Sequence, residues 1–442
     1  MRRQTLVLLC LLPTTPALAA GYGLREQSTE AMGEAYAGAA ATASDAGFLS
    51  YNPAAAAGTG GGDFALSAVS IMPGSSANYT TALTAAGTPA GGNARPNDFI
   101  RNAIIPDIAI RQRLDDRWSV GLSVSVPWGL STRYPSGWSG RYHALGSKLA
   151  TINITPVIAY DLAPGITIAG GVQAQYAKGT LSSAVDIGTL GALSGIPGSV
   201  PGGMDGSSTI NASGWGYGYV LGARAQLDDG WTLGISYRSI VHHTLSGSWG
   251  FALDNFGLGA AIRNATTLLS NTSAKAKLAT PAELQFGLRK QFMENWTLLA
   301  TADWTDWSSF KNLTAVAGNL VQPNDVTIAN WKSSWMMSLG AEYAASDDIT
   351  LRLGAALDQS PVPSATLAPR IPDADRTWVA AGVTWRASPE MDLKLSFGHL
   401  FNDTRTVSQS GTAPGNALRG TLVGTTESNV NVLGLALAYR WQ

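Results

Sequence analysis

Few side chains in this chain are equipped for covalent chemistry. The four histidines, His143, His242, His243 and His399, are scattered, and the pair His242-His243 has no carboxylate cluster beside it. A zinc site needs three or four His, Cys or acidic ligands held together, so this pair reads as a solvated loop pair and no metal is expected. The single cysteine, Cys10, falls in the N-terminal apolar run, which leaves no thiol elsewhere for a disulfide or a metal. No G-x-S-x-G elbow, phosphate-cradling Gly-Lys loop or H-E-x-x-H helix occurs. His399 is in phase with an outward Phe397, which keeps a lipase with a Ser–His pair on an outer wall as one alternative. Otherwise the residues point to neither an enzyme nor a cofactor.

The elements around these residues give a clearer reading. Arg2 and Arg3, the apolar run Leu6 to Leu12 and Ala17-Leu18-Ala19 form the three parts of an export signal. Cleavage after Ala19 would leave Ala20-Gly21-Tyr22 at the front, and Leu9 before Cys10 argues against lipidation. Loss of Arg2 and Arg3 leaves 27 basic against 30 acidic residues, which offers no basic face for nucleic acid. Charged residues are only 13% of the chain, against a usual ~25%. Beyond the signal no apolar run reaches the 18 or so residues that a membrane helix needs. An exported chain with 50 glycines, 14 tryptophans and few charges fits a transmembrane β-barrel.

A barrel strand must alternate, greasy side to lipid and small or polar side inward. The C-terminal residues do so: Leu433, Leu435, Leu437, Tyr439 and Trp441 alternate with Gly434, Ala436, Ala438, Arg440 and Gln442. Trp118 to Val126, Trp215 to Ala223, Trp231 to Tyr237, Ile349 to Leu357 and Leu393 to Phe397 repeat the pattern. Six tight polar turns, at 115–117, 163–165, 228–230, 293–295, 346–348 and 388–390, separate hairpins. Seven longer stretches lie near 73–103, 129–148, 179–214, 240–277, 307–332, 359–375 and 401–429. Together they predict an all-β fold, a 14-stranded antiparallel barrel over 63–442 with both ends on the periplasmic side. The aromatic residue near the C-terminus resembles the signal read by barrel assembly machinery, and the outer wall would meet outer-membrane lipid and lipopolysaccharide. A monomer is expected.

Residues 20–62 carry no strand pattern. Irregular backbone cannot face lipid, so this small-residue-rich stretch is predicted to fold into the lumen as a partly helical hatch. Within it, Asn52 precedes Pro53 and is pushed out of the helical region. Its amide can both donate and accept, so Asn52-Pro53-Ala54 reads either as a pin between hatch and wall or as a plain structural turn.

The chain here resembles the FadL family of outer-membrane transporters of hydrophobic compounds. The resemblance rests on Ala20-Gly21-Tyr22, "AYAG" at 35–38, "NPA" at 52–54, "SYRS" at 236–239, "WSSF" at 307–310, "SPVP" at 360–363 and "IPDADR" at 371–376, in that order. It implies a plugged 14-stranded barrel that admits long-chain fatty acids or related hydrophobic molecules, with the hatch as gate. It also places basic residues at Lys178 and Lys332. Lys332 falls in the lumen phase, because Trp335 and Met337 face out; Lys178 is in phase with outward Tyr176 and needs a bulge to turn inward. Arg238 and Arg376 lie in the resembling segments, so all four are candidate partners for a substrate carboxylate. An uncharged aromatic hydrocarbon would need none of them, and that alternative stays open.

Two further expectations concern the route. Apolar residues in the long loops, including Leu190, Leu193, Phe251 and Phe256, read as an extracellular capture surface. Pro106 and Pro127 fall in consecutive strands about ten residues up from the same turn, Gly129 follows, and Pro156 lies in the next strand. Proline cannot donate to a ladder, so a lateral opening in the wall is expected at Pro106, Pro127 and Gly129. A general diffusion porin remains the competing transport reading; the mainly Gly, Ala, Ser and Thr inward positions, with few charges, argue against it.

Overall fold

The structure, a computed structural model, describes residues 21–58 and 61–441; the export signal expected over 1–19 lies outside them. Fourteen antiparallel strands close into one barrel. The first six are β1 (Gly62–Leu83), β2 (Ala103–Arg113), β3 (Trp118–Ser125, resuming as Gly129–Arg133), β4 (Gly146–Ala163), β5 (Ile166–Asp186) and β6 (Asp205–Gln226). Four interrupted strands follow: β7 (Trp231–Arg238 and Val241–Ala252), β8 (Thr272–Thr280 and Glu283–Met293), β9 (Trp296–Thr305 and Asn312–Ala317) and β10 (Asp325–Ile328 and Ser334–Ala344). The last are β11 (Ile349–Asp358), β12 (Arg376–Ser388), β13 (Met391–Asn402) and β14 (Thr421–Trp441). The ladder from Gly62–Trp441 to Leu83–Thr421 joins β1 to β14 and removes both sheet edges.

The period of two decides which residue faces which way. Along β14, Leu433 and Leu435 are exposed while Gly434 is buried. Ile168, Leu221, Leu233, Phe286, Leu339 and Leu353 are likewise exposed on other strands. An outer face of large apolar side chains is the reverse of a soluble sheet protein and matches a wall against lipid. All six tight turns fall where the sequence places them, between β2 and β3 and at each second connection onward.

The long connections differ from expectation. β1, expected to end near Met72, runs to Leu83. β5 and β6 stay paired out to Asp186–Asp205, so much of 179–214 is ladder and not loop. Phe251, expected in a loop, lies in β7 and stacks on Trp249 at 5.6 Å. Above the membrane neither face needs to be greasy. Ladder hydrogen bonds continue there without the alternation that marks a strand in the sequence.

Residues 21–58 lie almost wholly buried, and their partners are inward side chains of the barrel. Three short helical turns order them. Ser28 Oγ accepts from the Ala31 amide at the start of α1 (Thr29–Gly33). Asp45 caps a 3-10 turn at Ala46–Ser50, and Asn52 caps another at Pro53–Ala56, with proline in the first position where its missing N–H is harmless. Between them "AYAG" makes a sharp reversal, with Ala35 and Tyr36 at φ 49° and 66°.

Candidate functional site

The upper lumen, toward the long connections, is greasy. An apolar cavity of about 950 Å³, counted with its open mouth, is lined by Leu149, Leu181, Leu245, Leu278 and Ile371 among others. Its floor is aromatic. Tyr22 meets Trp307 edge-on at 4.6 Å and Phe310 at 5.4 Å, and Trp331 and Trp128 complete the cluster. Tyr22 Oη donates to the carbonyl of Ala279 at 2.7 Å, which satisfies its one polar atom.

Tyr22 also ties that floor to a break in the wall. β3 stops at Ser125 and resumes at Gly129. Across the break Leu24 N donates to the Pro127 carbonyl at 2.8 Å, and Gly129 N donates to the Tyr22 carbonyl at 2.8 Å. The front of the chain thus supplies the backbone partners that the interrupted strand lacks. On the other side, the β2–β3 ladder ends at Ile108–Val124. Contact between the two segments resumes only at Ile100–Thr132, so the stretch holding Pro106 has its register partners on β1 alone. Pro106, Pro127 and Gly129 therefore border one interruption. Pro156 sits in β4, where the pairing to β5 skips from Ile154 to Val157.

The lower lumen, toward the turns, is polar and charged. Lys394 on β13 pairs with Glu30 and Asp45. Arg352 on β11 reaches Glu30 at 3.1 Å and Glu34 at 2.8 Å, and Arg289 pairs with Glu342 beside them. Arg111 on β2 holds Asp63 at 2.5 Å and the Ala55 carbonyl at 2.6 Å. Arg25 pairs with Asp303 and lies 3.6 Å from Asp358. The expectation of few inward charges is thus corrected: strands β2, β8, β9, β10, β11 and β13 each aim at least one charge inward. The signal stood in the sequence, as Arg352 and Lys394 fall in the inward phase and Glu30 and Glu34 share a helix-like face. Glu30, Glu34 and Glu342 come close enough to invite a cation. Arg352, Arg289 and Lys394 already supply the positive charge there. Burial, with Glu342 next to it, pushes the Glu34 carboxyl well above the usual range.

Asn52 is fully buried and makes three bonds. Its Nδ2 donates to the carbonyls of Ala40 at 2.6 Å and Ala223 at 3.1 Å, and its Oδ1 accepts from the Ala54 amide at 2.9 Å. The wall makes room with missing side chains. A Cβ at Gly222 would collide with Asn52, one at Gly234 with the Ala40 carbonyl, and one at Gly354 with the Glu34 backbone.

The four carboxylate candidates do not meet. Lys332 is exposed, contrary to its lumen phase, because β10 is interrupted between Ile328 and Ser334 and the phase does not carry across. Lys178 is exposed and faces out, with no bulge to turn it. Arg238 bonds Gln173 at 2.9 Å, the Ser50 carbonyl at 2.8 Å and Glu283 at 3.2 Å. Arg376 pairs with Asp373. Both arginines hold structure together and neither lines the apolar cavity. The capture residues divide too: Leu190 packs against the Ile187–Ile262 cluster of two outer helices, α2 (Ile187–Leu193) and α3 (Leu258–Thr266), while Leu193 and Phe256 stay exposed. Of the histidines, His243 is buried on Gln175 and His399 bonds Asn431 on the outer wall. Among the described residues no serine bonds His399.

Residues 10–441 match the family model described as outer membrane protein transport protein (OMPP1/FadL/TodX). The chain belongs to this family. It is a bacterial outer-membrane transporter of hydrophobic compounds. The long-chain fatty acid transport protein of Escherichia coli (strain K12) is 28% identical over 422 residues, covering 90% of this chain and 92% of the relative. Outer membrane protein P1 of Haemophilus influenzae is 25% identical, covering 97% of each. In fold, a Pseudomonas aeruginosa FadL homologue matches with a TM-score of 0.87 at 24% identity, over 96% of this chain and all of that one. The Ralstonia pickettii toluene transporter TbuX matches with a TM-score of 0.64 at 18% identity, over 95% and 99%.

Proposed function

We propose that this transporter takes up long-chain fatty acids passively, with residues 20–62 as the hatch and the β2–β3 interruption as the exit into the membrane. The observation that carries the reading is Tyr22. It floors the apolar cavity with its ring and fills the break in β3 with its backbone carbonyl. A ligand that settles in the cavity and displaces Tyr22 removes a hydrogen bond from Gly129 in the same movement. Capture begins on exposed apolar loop residues such as Leu193 and Phe256.

The lower lumen supports a sideways exit. A path straight down would drag an alkyl chain through the Glu30–Arg352–Lys394 network and a polar cavity lined by Arg25, Glu283 and Asp303. Breaking such buried pairs costs about 3–5 kcal/mol each. A gap bordered by Pro106 and Pro127 leads instead to lipid, where an alkyl chain is already at home. The buried segment within the lumen also speaks against an open diffusion porin.

The K12 relative is named for long-chain fatty acids, and the cavity is lined by apolar side chains of the kind an alkyl chain prefers. Its aromatic floor favours a second reading, since flat rings pack well on Phe310 and Trp331 and the TbuX structure is that of a toluene transporter. Uptake of radiolabelled oleate and of radiolabelled toluene by cells that depend on this protein separates the two. Oleate accumulation supports the first reading; toluene uptake with no oleate uptake overturns it.

A further inference from the structure

Five neighbouring strands are almost free of carboxylates. The stretches 146–160, 166–185, 206–227, 231–252 and 272–282, which form most of β4 to β7 and the upper part of β8, hold no Asp or Glu. They do hold Lys148, Lys178, Lys275 and Lys277. Lys178, Lys275 and Lys277 are exposed. Lys148 is half-buried and lies opposite Thr180, two residues along β5 from Lys178, so it shares the outer face. Among the described residues no ion pair or hydrogen bond engages any of these four side chains.

Ladder register sets the lysines in a row. Lys178 lies opposite Ser213 on β6, Ser213 opposite Ser246 on β7, and Ser246 opposite Lys275 on β8. Neighbouring strands stand about 4.8 Å apart, so Lys178 and Lys275 frame a hydroxyl-bearing strip about 14 Å wide. Lys277 lies two residues along β8 from Lys275, and Lys148 extends the other end onto β4.

The row also has a defined height. Tyr176 is two residues nearer the periplasmic turn than Lys178, and its ring centroid is 5.3 Å from that of Trp215 on β6. Tyr217 is exposed beside them, and below come exposed Val172, Ile168 and Leu221. A belt of aromatic rings over an apolar band marks the membrane interface. The lysines therefore stand one step above the outer interface, at the level of lipid headgroups. The rest of the upper rim is mixed in sign, with Asp98, Asp375, Asp403 and Glu427 exposed.

We propose that the row from Lys148 to Lys277 is a docking site for lipopolysaccharide, held by its phosphates, with its acyl chains on the Tyr176–Trp215 face. Unpaired ammonium groups with no carboxylate beside them attract phosphate. Side chains on a strand stand out from the sheet, so a single phosphate meets one end of the strip only. A lipid with phosphates at both ends of a sugar backbone meets Lys178 and Lys275 together. The hydroxyls of Ser213 and Ser246 then lie under the sugar.

The test uses the full-length mature protein refolded in detergent free of lipopolysaccharide, with binding titrated by native mass spectrometry. The probes are lipid A with two phosphates, its monophosphoryl form and phosphatidylglycerol. Wild type is expected to bind the diphosphoryl form roughly tenfold or more tighter than either of the others. A lysine near an anionic lipid surface is worth about fivefold in affinity. Lys178→Gln with Lys275→Gln should therefore weaken the diphosphoryl form roughly tenfold or more, and Lys178→Arg with Lys275→Arg should retain it. Lys311→Gln with Lys332→Gln removes the same charge from exposed positions around β9 and β10 and should stay within about twofold. Heat-modifiable migration verifies the fold. Unchanged affinity in the Lys178–Lys275 glutamine pair, or an equal loss in the Lys311–Lys332 pair, overturns the site. Phosphatidylglycerol bound as tightly as diphosphoryl lipid A overturns it as well. Should the first glutamine pair fail to fold, Lys148→Gln with Lys277→Gln decides by the same criterion.

Discussion

The amide of Asn52 donates to the main-chain carbonyl of Ala223 at 3.1 Å, joining two residues 171 positions apart. The same Nδ2 reaches the Ala40 carbonyl, so one side chain clamps two turns of the N-terminal segment to β6. Pro53 holds Asn52 in the extended conformation that makes both bonds possible. Asn52→Ala removes those bonds and a cap, and buries the two carbonyls unsatisfied. Hatch docking should weaken by about 2–4 kcal/mol. The expected outcome is reduced uptake and faster amide exchange over 40–56, with a folded, heat-modifiable barrel. Unchanged exchange would show that Asn52 does not hold the segment.

The ion network predicts a larger effect. Lys394→Met leaves Glu30 and Asp45 facing each other without their shared cation. Loss of one partner from a buried network costs about 3–5 kcal/mol. The segment should undock, and single-channel conductance should rise from a closed baseline. Arg352→Met should act alike, through Glu30 and Glu34. Barrels of either variant that stay closed would mean that apolar packing alone retains the segment.

Acidity should tighten the same docking. Burial pushes Glu26 up to about 7, against opposing pull from two backbone amides, Arg376 and Arg25, and burial with Glu342 beside it pushes Glu34 well above its ordinary value against the pull of Arg352. Between the unfolded value of about 4.5 and 7, the docked state binds a proton on Glu26 that the free state has lost. Docking free energy therefore falls as pH rises through that window, and Glu26 contributes no further loss above 7. Amide exchange over 21–40, corrected for its intrinsic pH dependence, should be slower at pH 5.5 than at pH 7.5. Glu26→Gln should shrink that difference. A segment protected more strongly at pH 7.5 would reverse the sign and contradict the account.

Lys332→Ala should leave fatty acid affinity within about twofold, because the exposed ammonium lines neither cavity. Lys178→Ala should do the same. Quenching of Trp331, which lines the apolar cavity, by 9,10-dibromostearate measures both. A tenfold loss for either would return the carboxylate to the positions that phase and resemblance favour.

What was legible in the sequence follows from what each feature depends on. Strand phase is local, so Leu433 to Trp441 announced its greasy face and the six turns announced their hairpins. The charged interior was legible in part: Arg352 and Lys394 fall in the inward phase, but their partners Glu30 and Asp45 are more than 300 residues away. Lys332 misled because phase holds only within an unbroken strand, and β10 breaks before it. Lys178 was legible as outward, but its alignment with Lys275 comes from the register of β5 to β8, and spacing carries no record of that. The prolines were the reverse case, since a missing N–H is written in the residue type.

The exit is tested most directly by closing the gap reversibly. The β2–β3 register continued from Ile108–Val124 would set Pro106 opposite Val126. A Pro106→Cys, Val126→Cys pair can then bridge only if the wall is drawn shut. The control is Leu339→Cys with Ala355→Cys, opposite each other in the intact β10–β11 ladder. Oleate uptake is measured before oxidation, after it and after reduction. With a sideways exit, the oxidised gap pair stops uptake, reduction restores it, and the control pair transports throughout. A fully bridged gap pair that takes up oleate as fast as its reduced form would contradict a sideways exit and send the ligand past the hatch.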